Sequence, residues 1–447
     1  MAEAVCPNCV ILRRRIAELE AKLEAATRAN KRQAAPFSKG SPKPEPKTPG
    51  RKPGDAYGTK ARRPVPPPDQ IDEVHEAPLP CTCPDCGGGI DETGVAQQYQ
   101  VEIPRRPIHR QFNVHVGRCR QCQRRVQGRH ALQTSDALGA AASQLGPDAQ
   151  AAVVSLNKEA GLSHGKVSTV LHNLFGIQLS RGGSAHTILR AARRSEPVYQ
   201  SLIQSLPQAP EIWLDETGWR VGGLGAWMHT LVGPQSTVYV IDPTRSGDVA
   251  EHILGLDYAG ILGHDGWSPY ERFTQAQHQQ CLAHLLRRCH EMQDVAVGGA
   301  VRFPRQIQEH LQDALALRDR FAAGDISAHG LAVATGRLHN QLTDLIWPAK
   351  TNAANERLAK HLWNHIDDLL TFLKVPGTQA TNWLAEHAIR FGVILRKVWG
   401  GSRTWVGAHA QAVLMSFWRT CRQQGQAALD QLSRLLRGQP VTLLRPP

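Results

Sequence analysis

The sequence predicts a multidomain α+β protein, and three observations support this fold class. The chain has 447 residues, which corresponds to about three domains of ordinary size. Its composition changes from a basic, proline-rich stretch to a segment rich in cysteine and arginine. Short apolar runs typical of strands begin near residue 211 and give way to long helical patterns. Strands and helices are thus segregated along the chain, as in α+β proteins.

The charge balance indicates the kind of partner. Lys and Arg number 52 against 39 Asp and Glu, a formal net charge of +13, which predicts a polyanionic partner. No apolar run approaches the roughly 20 residues of a membrane span, and the first residues hold no apolar signal core. We therefore expect a cytoplasmic protein that makes no membrane contact and binds nucleic acid.

Apolar residues near the N-terminus recur in alternating steps of three and four, the spacing of a heptad seam. These residues are Cys9, Leu12, Ile16, Leu19, Leu23 and Ala26. The pattern predicts a short coiled coil over residues 1–30 that joins two chains, and an amphipathic helix packed on its own chain fits equally well. Cys6 and Cys9 are half of a zinc site, completed across a dimer, or are free thiols.

Residues 31–80 have the composition of a flexible basic linker. Twelve of the 29 prolines fall between Pro36 and Pro80, and residues 31–63 carry ten Lys or Arg against two acids. Such a segment cannot bury enough apolar surface to fold. It either contacts DNA phosphates without sequence preference or serves only as a tether.

Two C-x-x-C pairs bracket a segment with strand character at residues 99–103 and 112–116. The pairs are Cys83 with Cys86 and Cys119 with Cys122. Four thiolates at this spacing are typical of a closed, structural zinc site, and they predict a zinc ribbon over residues 81–135. Redox pairs are the alternative, but the segment lacks a βαβ pattern. Cys81 is an additional thiol with poor spacing for a ligand.

Arginines crowd the predicted ribbon. Residues 101–130 contain eight arginines and one acid, so we expect this surface to contact phosphates, unless the arginines pair with acids elsewhere. The arginines expected at DNA are Arg105, Arg106, Arg118, Arg120, Arg124 and Arg125.

Residues 136–205 read as helices. A helix, a glycine turn and a second helix that begins after Ser163 form a helix-turn-helix-like pattern. Such a segment binds DNA or is an ordinary helical bundle.

From residue 211 the pattern predicts three antiparallel strands joined by turns at 223–225 and 233–236, then a short helix and a fourth strand. The strands are Glu211–Asp215, Trp227–Val232, Thr237–Ile241 and Ala259–Leu262, and the helix is Asp248–Leu256. Long helices are predicted at Arg302–Ala323 and Ala353–Leu373, and a helical block at 382–437.

Asp215 ends the first predicted strand, and Asp265 is expected at the end of the fourth. Two carboxylates held side by side repel each other unless a cation lies between them, and Mg²⁺ or Mn²⁺ is the usual solution. With a third carboxylate they would form a two-metal site for phosphodiester chemistry. Alternatively, Asp265 before Gly266 is only a turn residue, and Asp215 caps the turn that follows.

Several strings carry a family resemblance in combination. They are Trp213–Arg220 (WLDETGWR), His264–Tyr270 (HDGWSPY), Gln280–Arg287 (QCLAHLLR) and Thr381–Arg390 (TNWLAEHAIR) with Arg396, Lys397 and residues 400–402. Together they resemble the IS66 family of bacterial insertion-sequence transposases. The layout is similar too, with a coiled coil, a basic linker, a zinc module and a helical segment before the catalytic domain.

The resemblance implies an RNase H-like catalytic domain over residues 206–425, with a helical insertion at about 291–375 and a tail at 426–447. It also implies a DDE triad of Asp215, Asp265 and Glu386 that binds two Mg²⁺ or Mn²⁺ ions. Glu356 competes with Glu386 on spacing alone, but it lies in the helix before the motif. Arg390, Arg396 and Lys397 are then expected to hold phosphates around the triad.

The partners implied are double-stranded DNA at transposon ends and target, a second copy of the chain, and small accessory transposition proteins, in a nucleoid-associated protein of the bacterial cytoplasm. The family usually has paired Asn and Glu-Arg where this chain has Asn382-Trp383 and Glu386-His387. This departure keeps open a catalytically inactive DNA-binding regulator derived from a transposase. A nuclease that cuts without joining is a third reading.

Overall fold

The computed structural model describes Ile16, Leu19 and residues 65–101, 106–139 and 144–444. The chain divides into two compact units, Met1–Ile103 and Pro104–Pro447, and is a mixed α/β protein. Within the described residues, no helix has both the length and the apolar character needed to cross a membrane.

The second unit contains seven strands and twelve α-helices among its described residues. The strands are β1 Val116–Arg118, β2 Arg125–Gln127, β3 Glu211–Val221, β4 Leu224–Val232, β5 Thr237–Asp242, β6 Ile261–His264 and β7 Gln277–Gln280. The helices are α1 Pro147–Lys158, α2 His164–Phe175, α3 Arg181–Ser205, α4 Asp248–Leu254, α5 Leu282–Val295, α6 Arg302–Ala322, α7 Ala328–Ile346, α8 Ala353–Asn364, α9 Thr371–Lys374, α10 Trp383–Trp399, α11 Trp405–Gln423 and α12 Ala428–Leu436.

The first unit has little regular structure in its described part. Ile16 and Leu19, two positions of the predicted heptad seam, are helical and exposed. Residues 65–101 contain a short 3₁₀ turn, Pro68–Gln70, and no strand. The strand predicted at 99–103 is therefore wrong for residues 99–101. Cys6, Cys9 and linker residues 31–64 lie outside the described residues.

A small hairpin lies in the second half of the predicted ribbon. β1 pairs antiparallel with β2, with Val116 opposite Gln127. The strand predicted at 112–116 overlaps β1 only at Val116, because the turn at Cys119–Cys122 centres the pairing on the residues beside it. The hairpin's register is thus fixed by the second C-x-x-C pair.

The predicted helical segment forms α1, α2 and α3. Gly161, with a φ of +71°, turns the chain after α1, and the Ser163 side chain accepts the Lys166 N–H to cap α2, as predicted. These helices share one apolar core with the sheet and with α11 and α12. Recognition of DNA by this segment stays a prediction.

The five-stranded sheet has the order β5-β4-β3-β6-β7. β3, β4 and β5 are antiparallel, as predicted, and β6 and β7 run parallel to β3. Gly222 and Gly223, both at positive φ, form the tight turn between β3 and β4. The prediction that Asp215 ends its strand is wrong, because β3 pairs with β4 as far as Val221.

Helices cover both faces of the sheet. Along β3, Ile212 and Leu214 enter the apolar core shared with α3, whereas Trp213 enters a second core with Ala385 and Ala388 of α10. Alternate residues of a strand face opposite sides, so Asp215 shares the face of Trp213 and is directed toward α10.

Helices α5 to α9 form the insertion and have an apolar core of their own. The single helix predicted at Ala353–Leu373 is wrong, since α8 ends at Asn364 and a 3₁₀ turn, Ile366–Asp368, separates it from α9. The reason lies outside the segment. The buried Gln279 side chain of β7 accepts the Phe372 N–H at 2.8 Å and donates to the Leu369 carbonyl at 3.3 Å.

A lysine lies buried between α1 and the helices after the insertion. Lys158, 4% exposed, donates to Gln411 Oε1 and lies 5.1 Å from the centre of the Trp399 ring. Burial lowers the pKa of Lys158 from its ordinary value to about 7. Above pH 7 the folded chain therefore holds a neutral amine, whereas the unfolded chain keeps a charged one up to about pH 10.

This difference predicts a pH-dependent stability. Between pH 7 and 10 the unfolded state binds the extra proton, so the free energy of unfolding should rise with pH, by up to about 1.4 kcal/mol per unit from this group. Lys158→Met should remove that slope, as measured by urea unfolding at pH 7.5 and 9.5. The exposed Lys166 of α2 gives the control Lys166→Met, which should keep the slope. An unchanged slope in Lys158→Met would contradict the prediction.

Candidate active site

Asp215 and Asp265 lie at the same level of neighbouring strands. Trp213 of β3 is paired with Gly263 of β6, and each aspartate is two residues further along its own chain. A Cβ at Gly263 would lie 2.0 Å from the Trp213 ring, so only glycine leaves room for that ring at this position of β6. The expected juxtaposition of these two carboxylates agrees with this register.

The electrostatic environment of Asp215 is that of a crowded acid. Burial raises its pKa to about 7, with further contributions from the negative charges of Glu216, Asp265 and Glu386. The Glu216 N–H, which donates to Asp215 Oδ1 at 2.9 Å, acts in the opposite direction. The three acids of the predicted triad therefore act on one another, and a cation among them would relieve the repulsion.

Asp265 is exposed and begins the turn after β6. Its Oδ1 accepts the Trp267 N–H at 3.0 Å, and Gly266 has a φ of +90°. Asp265 therefore does stabilise a turn, as one interpretation of the sequence expected. That hydrogen bond uses Oδ1 alone, and the second carboxylate oxygen takes no part in it. The side chain raises the pKa of Asp215, which a turn residue remote from the site would not do.

The buried His264 beside Asp265 is held by a chain of hydrogen bonds. The Gly266 N–H donates to His264 Nδ1 at 3.0 Å, so His264 Nε2 donates to His278 Nδ1, and His278 Nε2 donates to the Phe273 carbonyl. Burial lowers the pKa of His264 to about 3. A neutral, fully bonded imidazole supports its interpretation as a structural residue.

Glu386 lies in the first turn of α10, whose start is anchored to the sheet by Asn382. The Asn382 side chain, fully buried, donates to the Leu214 carbonyl at 2.7 Å, and its backbone N–H donates to Cys281 Sγ at 3.1 Å. Cys281 in turn donates its N–H to the carbonyl of His264. These bonds connect the segments that carry all three acids.

This anchoring was not foreseen from the sequence. Asn382 and Cys281 both stand in strings quoted for the family resemblance, but they lie about a hundred positions apart. The C-x-x-H spacing of Cys281 and His284 was the one signal in the sequence that could have drawn attention to Cys281.

The competing acid Glu356 lies elsewhere. It is in the first turn of α8, where it accepts the Lys350 N–H at 2.8 Å and lies 3.7 Å from Lys360 Nζ. It is not among the charges that shift the pKa of Asp215, whereas Glu386 is. The geometry therefore favours Glu386 as the third acid.

Glu216 is engaged on the opposite face of β3 from Asp215. Its carboxylate, 2% exposed, pairs with Arg245 at 2.6 Å and accepts the Tyr270 hydroxyl at 2.9 Å. The Arg245 guanidinium lies over the rings of Trp227 and Trp267. Glu216 thus has the structural role expected of a residue that faces away from the site.

The basic residues predicted to contact DNA phosphates differ in how far their side chains are already bonded within the fold. Arg396 donates to Thr217 Oγ1 at 3.2 Å and to the Gly218 carbonyl, so part of its guanidinium is used within the fold. Arg390 and Lys397 are exposed on α10. Arg105 lies outside the described residues. The exposed arginines of the predicted ribbon are Arg106, Arg118, Arg120, Arg124 and Arg125.

The chain turns in the same way at both C-x-x-C pairs. Gly87 donates its N–H to the Cys83 carbonyl at 2.8 Å, and Gln123 donates to the Cys119 carbonyl at 2.9 Å. Both Gly87 and Gln123 have positive φ, and Gln123 is the one such non-glycine residue in the described part of the chain. This shared knuckle is a local geometry that suits metal ligation.

The first thiol of each knuckle has a lowered pKa. Hydrogen bonds from the Cys86 backbone lower the pKa of Cys83, and those from the Cys122 backbone lower the pKa of Cys119. A thiolate is the form that binds zinc. The two knuckles belong to different compact units, and the four-cysteine site remains a prediction.

The sequence matches the model of the Transposase IS66 family over residues 142–410, which include α1 to α10, the whole five-stranded sheet and the three acids. No curated protein matches the chain. The family match extends over more than half of the sequence, and the chain therefore belongs to the IS66 transposase family.

Proposed function

We propose that this protein is a DNA transposase that cuts at transposon ends and transfers the freed strand to target DNA. The observation that carries the proposal is that Asp215, Asp265 and Glu386 come from three separate segments and lie near enough for Asp265 and Glu386 to raise the pKa of Asp215. Their carboxylate oxygens do not all lie within 4.8 Å of one another, so bound metal ions would have to draw them closer. Membership of a transposase family gives the reaction class.

We further propose that the catalytic domain is RNase H-like. Three antiparallel strands followed by two parallel ones, in the order β5-β4-β3-β6-β7, support this fold. The positions of the acids support it as well, with one on the middle strand, one after the adjacent parallel strand and one on a helix that packs on the sheet. The helical insertion lies between the second acid and the third.

The three acids fit hard divalent cations. Their donor atoms are all carboxylate oxygens, which Mg²⁺ and Mn²⁺ prefer. Burial raises the pKa of Asp215, and the charges of Glu216, Asp265 and Glu386 raise it further, so a cation near this carboxylate would be favourable. Two such ions would activate the attacking hydroxyl and stabilise the leaving oxygen. Asp215 must lose its proton to act as a ligand, so we expect ion binding to strengthen as the pH rises through 7.

The protein's own contribution is placement and charge. Asn382 fixes the start of α10 against β3, and Glu386 in the first turn of α10 contributes to the raised pKa of Asp215. The turn that begins at Asp265 fixes the second acid. First a water and then the freed 3′ hydroxyl must be held in line with the phosphodiester, and such positioning supplies much of the rate in phosphoryl transfer.

The segments before the catalytic domain would hold DNA. Exposed arginines on the β1–β2 hairpin support phosphate contacts, and the matching knuckles at Cys83 and Cys119 support a structural zinc ion held with Cys86 and Cys122. Two transposon ends must be brought together, so we propose that the chain acts as an oligomer joined through its N-terminal heptads. Accessory transposition proteins are a further proposal from the family.

The test is an assay of the full-length protein on a supercoiled plasmid that carries the two terminal inverted repeats of its element. With Mg²⁺ or Mn²⁺ we expect nicks that leave a 3′ hydroxyl at the repeat ends, followed by joined products. With EDTA we expect binding alone. Cutting without joined products would indicate a nuclease, and binding without cutting under any metal would favour the inactive regulator.

A further inference from the structure

One cluster beside the catalytic acids has a different chemical character from the triad. Cys281, His284 and Glu386 place a thiol sulfur, an imidazole nitrogen and a carboxylate oxygen within 4.8 Å of one another. Within the described part of the chain, no other group of three acidic, histidine or cysteine side chains is this compact. Glu386 belongs both to this cluster and to the proposed triad.

The separations approach those of a metal coordination shell. Cys281 Sγ lies 3.9 Å from Glu386 Oε1, and His284 Nδ1 lies 3.5 Å from the same oxygen. A tetrahedral zinc ion has S–O edges of about 3.6 Å and N–O edges of about 3.4 Å, from its usual bond lengths. A shift of a few tenths of an ångström would therefore bring both of these separations to the lengths found around zinc.

The contacts of the ligand atoms are compatible with metal binding. His284 Nδ1 is buried and makes no hydrogen bond to any described residue, an uncommon state for a polar atom. Cys281 occupies the N-cap position of α5 without a capping bond from its side chain, and its sulfur accepts the Asn382 N–H, a hydrogen bond that favours the thiolate. Burial raises the pKa of this thiol, so a metal would have to displace its proton.

The donor set selects a different metal from the triad. A thiolate and an imidazole with one carboxylate suit Zn²⁺, whereas carboxylates alone suit Mg²⁺ or Mn²⁺. The His284 and Glu386 side chains are about a third exposed (35% and 38%), so an ion can enter from solvent and a water can fill the fourth position.

We propose that Cys281, His284 and Glu386 form a Zn²⁺ site whose occupation withdraws Glu386 from the catalytic carboxylates and inhibits the enzyme. The inhibitory consequence rests on the proposed function, but metal binding does not. Because one carboxylate serves both sites, Zn²⁺ inhibition should weaken as Mg²⁺ or Mn²⁺ is raised.

Binding can be measured without activity, with Co²⁺ as the probe. The full-length chain should show a thiolate-to-Co²⁺ absorption band. Its intensity should fall in Cys281→Ser by the contribution of one thiolate, and the spectrum should change in His284→Ala. The four knuckle cysteines are the same in every variant, so their signal cancels in the difference. His290→Ala, an exposed histidine of the same helix, is the matched control and should behave like the wild type. Identical Co²⁺ spectra in all four proteins would overturn the site.

The inhibitory role has its own readout. Added Zn²⁺ should inhibit strand transfer by the wild type and by His290→Ala, and His284→Ala should need at least tenfold more Zn²⁺ for the same loss. If the Co²⁺ spectra differ as expected but Zn²⁺ inhibits His284→Ala and the wild type equally, the proposal that Zn²⁺ withdraws Glu386 from the catalytic carboxylates is wrong. If the Co²⁺ difference is present but no variant ever cuts DNA, the metal site stands and the proposed function fails.

Discussion

Asp215→Asn is expected to lower end cleavage and strand transfer by about a thousandfold or more while binding to end DNA is retained. The substitution preserves the shape of the side chain and removes the negative charge that Asp215 would contribute to metal binding. Loss of a metal contribution worth several kcal/mol corresponds to a rate loss of this size. The measurement is single-turnover cleavage of labelled end DNA, with binding followed in parallel in a Ca²⁺ buffer.

The same substitution should make the protein more stable. The pKa of Asp215 in the folded chain is raised to about 7 by burial and by neighbouring carboxylates, so ionisation of this group opposes folding at higher pH. That cost is absent below pH 4 and complete above pH 7. Thermal unfolding of Asp215→Asn should thus occur at a higher temperature than that of the wild type at pH 8, and at the same temperature near pH 4.

Asp257→Asn is the matched control, since Asp257 is exposed in the loop before β6. Both its cleavage rate and its melting temperature should equal those of the wild type. An Asp215→Asn protein that still cuts DNA at the wild-type rate would remove Asp215 from the mechanism, and the DNA-binding regulator would then be the better reading.

The parts of the fold that were predictable are those with local causes. The strands β3, β4 and β5 follow from apolar runs separated by turns, and the start of α2 follows from Ser163 as a cap. β7 was missed because its residues, Gln277–Gln280, are all polar, and only pairing with β6 makes them a strand. The break after α8 was missed because the hydrogen bonds that compensate it come from Gln279, far away in sequence.

In the candidate site, too, features with local causes could be predicted and long-range contacts could not. Asp215 and Asp265 could be proposed because each follows a short apolar run typical of a strand. Asp215 proved to lie within β3, and the parallel pairing of β3 with β6 brings the two residues to the same level. The third acid could not be chosen by spacing, and it was taken from the family resemblance. What fixes Glu386 physically is the contact of Asn382 with Leu214 and Cys281, which joins segments over a hundred residues apart. No periodicity or composition records such a contact.

Glu386→Gln and Glu356→Gln form the most direct comparison for the third acid. Glu386→Gln should reduce cleavage about a thousandfold, because an amide cannot supply the negative charge that a metal ligand requires. Glu356→Gln should keep cleavage within about twofold, because Gln can still accept the Lys350 N–H and the residue has no part in the charge cluster around Asp215. Both are measured as single-turnover cleavage with Mn²⁺ at saturation.

The two variants should also differ in stability. A melting temperature measured for each one therefore separates a loss of catalysis from a loss of folding. Glu386, 38% exposed, contacts the Cys281 thiol and His284, and its replacement relieves repulsion with Asp215, so the melting temperature should be equal or higher. Glu356 occupies the first turn of α8, where a negative charge is favourable, and its loss should cost up to about 1 kcal/mol. A stable but inactive Glu386→Gln beside a slightly destabilised, active Glu356→Gln would establish the third acid. The reverse pattern of activity would place the active site on α8 and would separate Asp215 from Glu386 in function.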